Sequence, residues 1–279
     1  MNTRPRPPER LEKTLARVAR EMGINQERLR HWVSFLALCG VLERARQEGI
    51  VGVYYLKGGV ALELRFALKA RATRDLDLGM AGSRADRLQT LSRALRLGFD
   101  QFTFRLKAQQ LEMENADAVR VQVAIQYRTR AWQTIDVDLG SVTAGEVDLV
   151  APNVQGLAEL GIPVISPVRC LNLSDQLAQK LHACTGPASA GRARDVLDIL
   201  VMDSLGGINY SQAGAAARRV FEVRATHPFP PVFVMPPEWR PEVEALAQEL
   251  QFPITTAETI ERQFVRIIDR LATPAGGHA

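Results

Sequence analysis

Leu11, Leu15, Val18 and Met22 recur at intervals of three and four residues until Gly23 breaks the run, which predicts an amphipathic helix. A second helical pattern carries Leu29, Trp32, Val33, Leu36 and Val41 and extends to about Arg46. The pattern then changes. Ile50–Leu56 is β-rich and ends at Lys57-Gly58-Gly59, and a helix is expected from Val60. Asp75–Met80 alternates as a strand, and Arg84–Leu97 reads as a helix. Phe102, Phe104 and Leu106 alternate with polar residues, as do Val121, Val123 and Ile125, and Ile135, Val137 and Leu139. Period-two alternation of this kind predicts three further strands. Beyond about Ser166 the chain turns helical, with expected helices at 174–185, 192–204, 211–224, 239–250 and 257–272. The Pro-rich stretch His227–Trp239 interrupts them as an ordered loop, and residues 1–9 read as a flexible tail.

The order β-α-β-α-β-β-β predicts an α/β (α+β) fold, a mixed sheet with flanking helices, followed by a helical C-terminal domain. The expected division is 1–165 and 166–279. A chain of 279 residues with 46% hydrophobic and 24% charged residues is long enough and apolar enough for a substantial core, which excludes a disordered chain. The net charge of +4 fits an anionic partner without singling one out. Cys39, Cys170 and Cys184 are widely spaced among apolar residues and form no metal-ligand pattern, so they read as small buried hydrophobes in a reducing compartment. The N-terminus has no apolar signal region, and no apolar run is long enough to span a bilayer, so the expectation is a cytoplasmic protein. Arg17, Arg20, Arg28 and Arg30 decorate the first two helices, and the preferred reading is a solvated basic face rather than a DNA-reading element.

Three local patterns carry candidate chemistry. In Asp75-Leu76-Asp77 the leucine points to the core and both carboxylates point the other way. Paired carboxylates repel unless a cation lies between them, and hard oxygen ligands suit Mg²⁺ or Mn²⁺. Asp136 and Asp138 alternate with Ile135, Val137 and Leu139 in the same way. If the two strands are neighbours, three acids converge as metal-assisted phosphoryl transfer requires, with Asp136 and Asp138 left as alternatives for the third. Gly58-Gly59 falls between a strand and a helix, where the backbone can approach a phosphate at a helix N-terminus. No Walker-type or dinucleotide-type glycine motif is present.

Together these patterns are more specific than any one alone. The string KGGVALELRFALKARATRDLDL, Lys57–Leu78, resembles the signature of the polymerase-β-like nucleotidyltransferase superfamily, and within it the AbiEii/AbiGii-type toxins, including the mycobacterial MenT-like toxins. Val60 replaces the threonine usual in that branch, whereas Arg71 and Thr73 match. A second block, DQLAQKLHACTGPASAGRARDVLDILVM, supplies Lys180, Arg194, Asp195 and Asp198 at the family's positions. The resemblance covers roughly Trp32–Met202.

It implies NTP as substrate, Mg²⁺ or Mn²⁺ as cofactor, RNA (tRNA foremost) as acceptor, blocked translation as the outcome, and a cognate antitoxin as partner. Under it Asp75 and Asp77 hold metal ions, and Asp136 or Asp138 joins them. Lys57, Gly58, Gly59, Arg71, Thr73 and Arg194 bind the nucleotide. Lys180 stabilises the triphosphate, with Asp195 or Asp198 orienting it or acting as base. Rival readings are transfer to a protein or small molecule, a non-catalytic nucleotide- or partner-binding module, and a DNA-binding regulator.

Overall fold

The computed structural model describes residues 7–112, 118–142, 146–152, 156–163 and 165–273. The chain divides into two compact units, one of Met1–Ala67 and Ala72–Cys170, the other of Leu68–Arg71 and Leu171–Ala279.

The first unit opens with helices α1 (Pro8–Glu21) and α2 (Gln26–Gln47). α1 begins inside the stretch expected to be a tail, because proline is tolerated in a first helical turn; residues 1–6 lie outside the described residues. Asn25 caps α2 by accepting the amide of Glu27. α2 is apolar nearly all round, with Leu29, Trp32, Phe35, Leu38, Val41 and Leu42 fully buried, so it is a core helix rather than a surface one. The expected solvated basic face is therefore corrected at two positions. Arg28 pairs with the fully buried Glu63, and Arg30 pairs with Glu12 and stacks on the Trp132 ring.

Strand β1 (Tyr54–Lys57) leads directly into α3 (Gly58–Phe66), and β2 (Asp75–Met80) into α4 (Arg84–Leu95), which starts with a Ser83/Asp86 capping box. β3 (Phe102–Glu112), β4 (Val119–Tyr127) and β5 (Arg130–Ser141) form a meander. Two short strands not expected from the pattern follow, β6 (Val147–Val150) and β7 (Val168–Leu171), each too short to show a period. The sheet order is β3-β4-β5-β2-β1-β7-β6. Parallel β2/β5 and β1/β7 pairs among antiparallel ones make it the mixed sheet anticipated. Leu76, Leu78, Val121, Val137 and Leu139 join α2 and α4 residues in one continuous core, so the intervening polar residues of β2, β4 and β5 face the other side.

The second unit is helical: α5 (Leu173–Thr185), α6 (Ala193–Ser204), α7 (Tyr210–Arg224), α8 (Arg240–Glu249) and α9 (Ala257–Ala272). α5 packs on α6 and α7, while α9 packs on α6, α7 and α8. Asn172 and Asn209 cap α5 and α7. The Pro-rich loop is ordered, with Phe233 edge-on to Phe264 and Met235 buried. All three cysteines are free and buried, as their apolar surroundings suggested.

Candidate active site

β1 passes into α3 without a connecting loop, and Gly58 makes this possible. Its φ of +65° is a left-handed conformation, and a Cβ there would lie 1.8 Å from the Asp77 carboxylate oxygen Oδ2. Gly58 is therefore inside the helix rather than before it, and what its missing side chain admits is the Asp77 carboxylate. The helix begins two residues earlier than the pattern indicated because glycine hides the helical period.

Register then assembles a polar face from four strands. β2 and β5 run parallel with Asp75 beside Asp136 and Asp77 beside Asp138. Across the antiparallel pairs, Lys57 of β1 lies opposite Asp77, while Arg120 and Gln122 of β4 lie opposite Asp138 and Asp136. One row across the sheet thus reads Arg120, Asp138, Asp77, Lys57, with cations at both ends and two carboxylates between. The neighbouring row reads Gln122, Asp136, Asp75. A third row has glycines at 140 and 79: a Cβ on Gly140 would lie 3.3 Å from the Lys57 amine, and one on Gly79 would strike the Tyr55 ring at 2.6 Å. The glycines leave room for Lys57 and Tyr55 to lie along the sheet.

The four aspartates are not equivalent. The Arg120 fork grips Asp138, Nε to Oδ1 and Nη2 to Oδ2, both at 2.6 Å, and Nη2 also reaches Asp75 Oδ2 at 3.2 Å. These partners, Asp138 first, raise the Arg120 pKa despite partial burial. Asp136 accepts the neutral Gln122 amide at 2.9 Å. Asp75 is 40% exposed and Asp138 15%. Among the described residues no group of three or more His, Cys, Asp or Glu side chains is arranged to hold a metal ion. The donor set nonetheless suits Mg²⁺, which commonly takes one or two carboxylates and completes its shell with water and substrate phosphates. Asp75 and Asp77 form a carboxylate pair on one face of β2, with one residue between them.

Thr73 and Arg71 part company. The Thr73 amide donates to Glu63 Oε2 at 3.0 Å, and its hydroxyl lies 3.4 Å from the Asp75 carbonyl. Glu63 also accepts from Arg28 and from the Trp32 indole. Burial raises its pKa, and Arg28 only partly offsets that. Glu63 thus anchors the chain two residues before Asp75. Arg65 is an ion-pair partner of Asp148 at 2.9 Å and largely buried.

The second unit holds a different constellation. Lys180 Nζ donates to Asp195 Oδ1 at 2.6 Å and Asp198 Oδ2 at 2.8 Å. Arg71 of the Leu68–Arg71 segment grips Asp198 with Nε and Nη2, at 3.1 and 3.2 Å. Burial opposes ionisation of both partners, but their mutual attraction outweighs it. The Asp198 carboxyl is held below the usual range by Lys180 and Arg71, and the Lys180 amine is raised by Asp198 and Asp195. Arg194 stands apart from this cluster, more than half exposed and paired with Glu242 at 3.0 Å. His182 is also elsewhere, bonded to Arg224 and Thr226 and 4.7 Å ring to ring from His227.

Sequence reasoning did not single out Arg120, Gln122 or Glu63. The first two alternate with Val119, Val121 and Val123, so their shared face was legible, but not that β4 lies beside β5 in this register. Glu63 carried no signal beyond a charge within an apolar helix.

A model of the family described as nucleotidyl transferase AbiEii toxin, type IV toxin–antitoxin system, matches residues 41–270. Among solved structures, MenT4, a nucleotidyltransferase toxin from Mycobacterium tuberculosis H37Rv, is similar over 93% of this chain and 99% of its own, at 15% identity and a TM-score of 0.52. The antibiotic-resistance factor ANT(2″)-Ia matches over 69% of this chain and 94% of its own, at 15% identity and a TM-score of 0.40. A nucleotidyltransferase-like protein from Paracoccidioides brasiliensis matches over 80% and 95%, at 14% identity and 0.38. No curated protein matches the chain by sequence.

Proposed function

We propose, from the premise that this chain belongs to the AbiEii nucleotidyl transferase toxin family, that it transfers a nucleotide from an NTP to RNA, with the 3′ end of tRNA as acceptor. The observation carrying the catalytic reading is the in-register placement of Asp75 and Asp77 beside Asp136 and Asp138, with the start of α3 packed against Asp77. Among the described residues no helix is long and apolar enough to cross a membrane, and a cytoplasmic toxin held in check by an antitoxin accords with the family.

Asp75 and Asp77 would hold Mg²⁺ or Mn²⁺, which when bound neutralises triphosphate charge and polarises the reacting oxygens. The chain's own residues do the rest. The acceptor hydroxyl oxygen forms a bond to the α-phosphorus as the bond from that phosphorus to the β-bridging oxygen breaks, and pyrophosphate departs. Asp136, which accepts a neutral amide rather than a guanidinium, takes the hydroxyl proton. Lys57, at the far end of the charged row, is a point charge for the leaving pyrophosphate, and the first turn of α3 offers amides to phosphate oxygens. In the second unit, Lys180 is fixed between two carboxylates, and its role is that of a held positive charge rather than a mobile acid.

The test is transfer of label from each α-labelled NTP to total tRNA with Mg²⁺. Label on tRNA that EDTA abolishes supports the reading. Label on protein or on a small molecule instead overturns the acceptor and leaves the metal site standing. No label in any pool favours a binding module.

A further inference from the structure

Four aspartates share one face of β2 and β5, and Arg120 contacts two of them in different ways. It holds Asp138 by both carboxylate oxygens at 2.6 Å, a charge-assisted fork of the strong kind. It touches Asp75 through one long contact of 3.2 Å, and Asp75 is the more exposed partner. β4 pairs continuously with β5 on either side of Arg120, so its backbone is fixed and only its side chain has freedom. The guanidinium therefore lies between a carboxylate the metal reading does not need and one it does.

We propose that Arg120 is the resident counter-ion of the aspartate face, bound permanently to Asp138 and to Asp75 only until a divalent cation takes Asp75. This rests on the nucleotidyl-transfer reading of the face and deepens it. Asp138 is then the anchor of Arg120 rather than a metal ligand. The fork turns the guanidinium plane so that one arm is left over for Asp75. Without a metal ion, that arm offsets repulsion among Asp75, Asp77 and Asp136. With metal bound, the arm is released beside it, where triphosphate oxygens would arrive. Arg120 is thus a positioning residue that competes with the cation and in doing so sets its affinity.

Competition has a sign that support does not. If Arg120 merely held the strand in shape, removing it would leave Mn²⁺ binding unchanged or weaker. If it competes, removing it strengthens binding.

The experiment is Mn²⁺ titration of the full chain, followed by the paramagnetic resonance signal of free Mn²⁺, with thermal melting to confirm folding. Arg120→Gln is expected to bind Mn²⁺ roughly tenfold more tightly than the parent, since one positive charge is withdrawn from the immediate neighbourhood of the ligands. Arg120→Lys, which keeps a charge but not the fork, is expected between the two, and it serves as the readout should Arg120→Gln not fold. Asp138→Asn frees the guanidinium for Asp75 and weakens binding, and adding Arg120→Gln to it restores parental affinity or better. Were Asp138 a metal ligand, the double variant would stay weak. Unchanged or weaker binding in Arg120→Gln, or in Arg120→Lys where that variant stands in, overturns the inference, as does a double variant that stays weak. The nucleotidyl-transfer reading survives these results if the parent binds Mn²⁺ and Asp75→Asn does not. No binding by parent or Arg120→Gln overturns both.

Discussion

The aspartate face of the sheet and the Lys180 cluster of the helical unit contain the same kinds of groups, arranged to opposite effect. On the sheet, Asp75, Asp77, Asp136 and Asp138 lie in register between Arg120 and Lys57, and Asp75 stands 40% exposed. In the helical unit, two carboxylates meet Lys180, Arg71 and, at 3.5 Å, the exposed Arg192, with Asp198 only 4% exposed and Lys180 9%. Clustered carboxylates beside solvent repel one another, and a bound cation relieves that repulsion. A buried, mutually paired set is already satisfied, and loses most when one member is withdrawn. The first arrangement suits binding and turnover, and the second suits fixing a charge in place.

The two clusters should respond in opposite ways when their charges are removed. Asp75→Ala with Asp77→Ala should lower transfer by about a thousandfold or more, because charge stabilisation of the transition state is lost. The melting temperature should stay level or rise, since like charges are removed from a partly exposed strand. Transfer rates beside melting curves check this, and a collapse in stability would make the face structural. Lys180→Met should do the reverse in stability. It leaves Asp195 and Asp198 buried with a missing partner, at a cost of about 3–5 kcal/mol in denaturant unfolding. A near-neutral result would show that the cluster is open to water.

Gly58→Ala acts on the sheet side by crowding Asp77. The added methyl would meet Asp77 Oδ2, and the left-handed φ adds strain of roughly 1–2 kcal/mol. Both unfolding free energy and transfer should fall, whereas Gly49→Ala, also at positive φ but with open space around it, should lower stability alone.

The smallest expected effect is a pH dependence in the helical unit. Burial, then Arg224 and His227, lower the His182 pKa from 6.5 to about 4. Between these values the unfolded chain binds the proton and the folded one does not, so stability falls as pH drops from about 6.5 towards 4. Melting temperatures across that window should show the slope, and His182→Gln should flatten it. Equal slopes in both chains would remove His182 as the cause.

Much of this was legible in the chain itself. Alternation placed Asp75 and Asp77 opposite Leu76 and Leu78, and Asp136 and Asp138 opposite Val137 and Leu139, because side-chain direction in a strand follows from period alone. The helices after Ser166 fell within a residue or two of their observed bounds, since each has an apolar stripe and three are preceded by an Asn or Thr at the N-cap position. What period cannot carry is partnership. That β2 lies between β1 and β5, and that Arg120 meets Asp138, are facts of register set by contacts distant in sequence. For the same reason Arg28 looked like surface charge: the partner that buries it, Glu63, lies on another helix. β6 and β7 are short enough that their edges, rather than their composition, define them.

The proposed function rests on transfer of nucleotides to RNA by the aspartate face. The most direct measurement adds α-labelled NTPs one at a time to the parent and to Asp75→Asn/Asp77→Asn, with total tRNA and Mg²⁺, and locates the label. Label is expected at the 3′ end of tRNA from the parent, and none from an equally well-folded double variant. Label on tRNA that persists in the double variant, or that appears on another acceptor while tRNA stays bare, would contradict it.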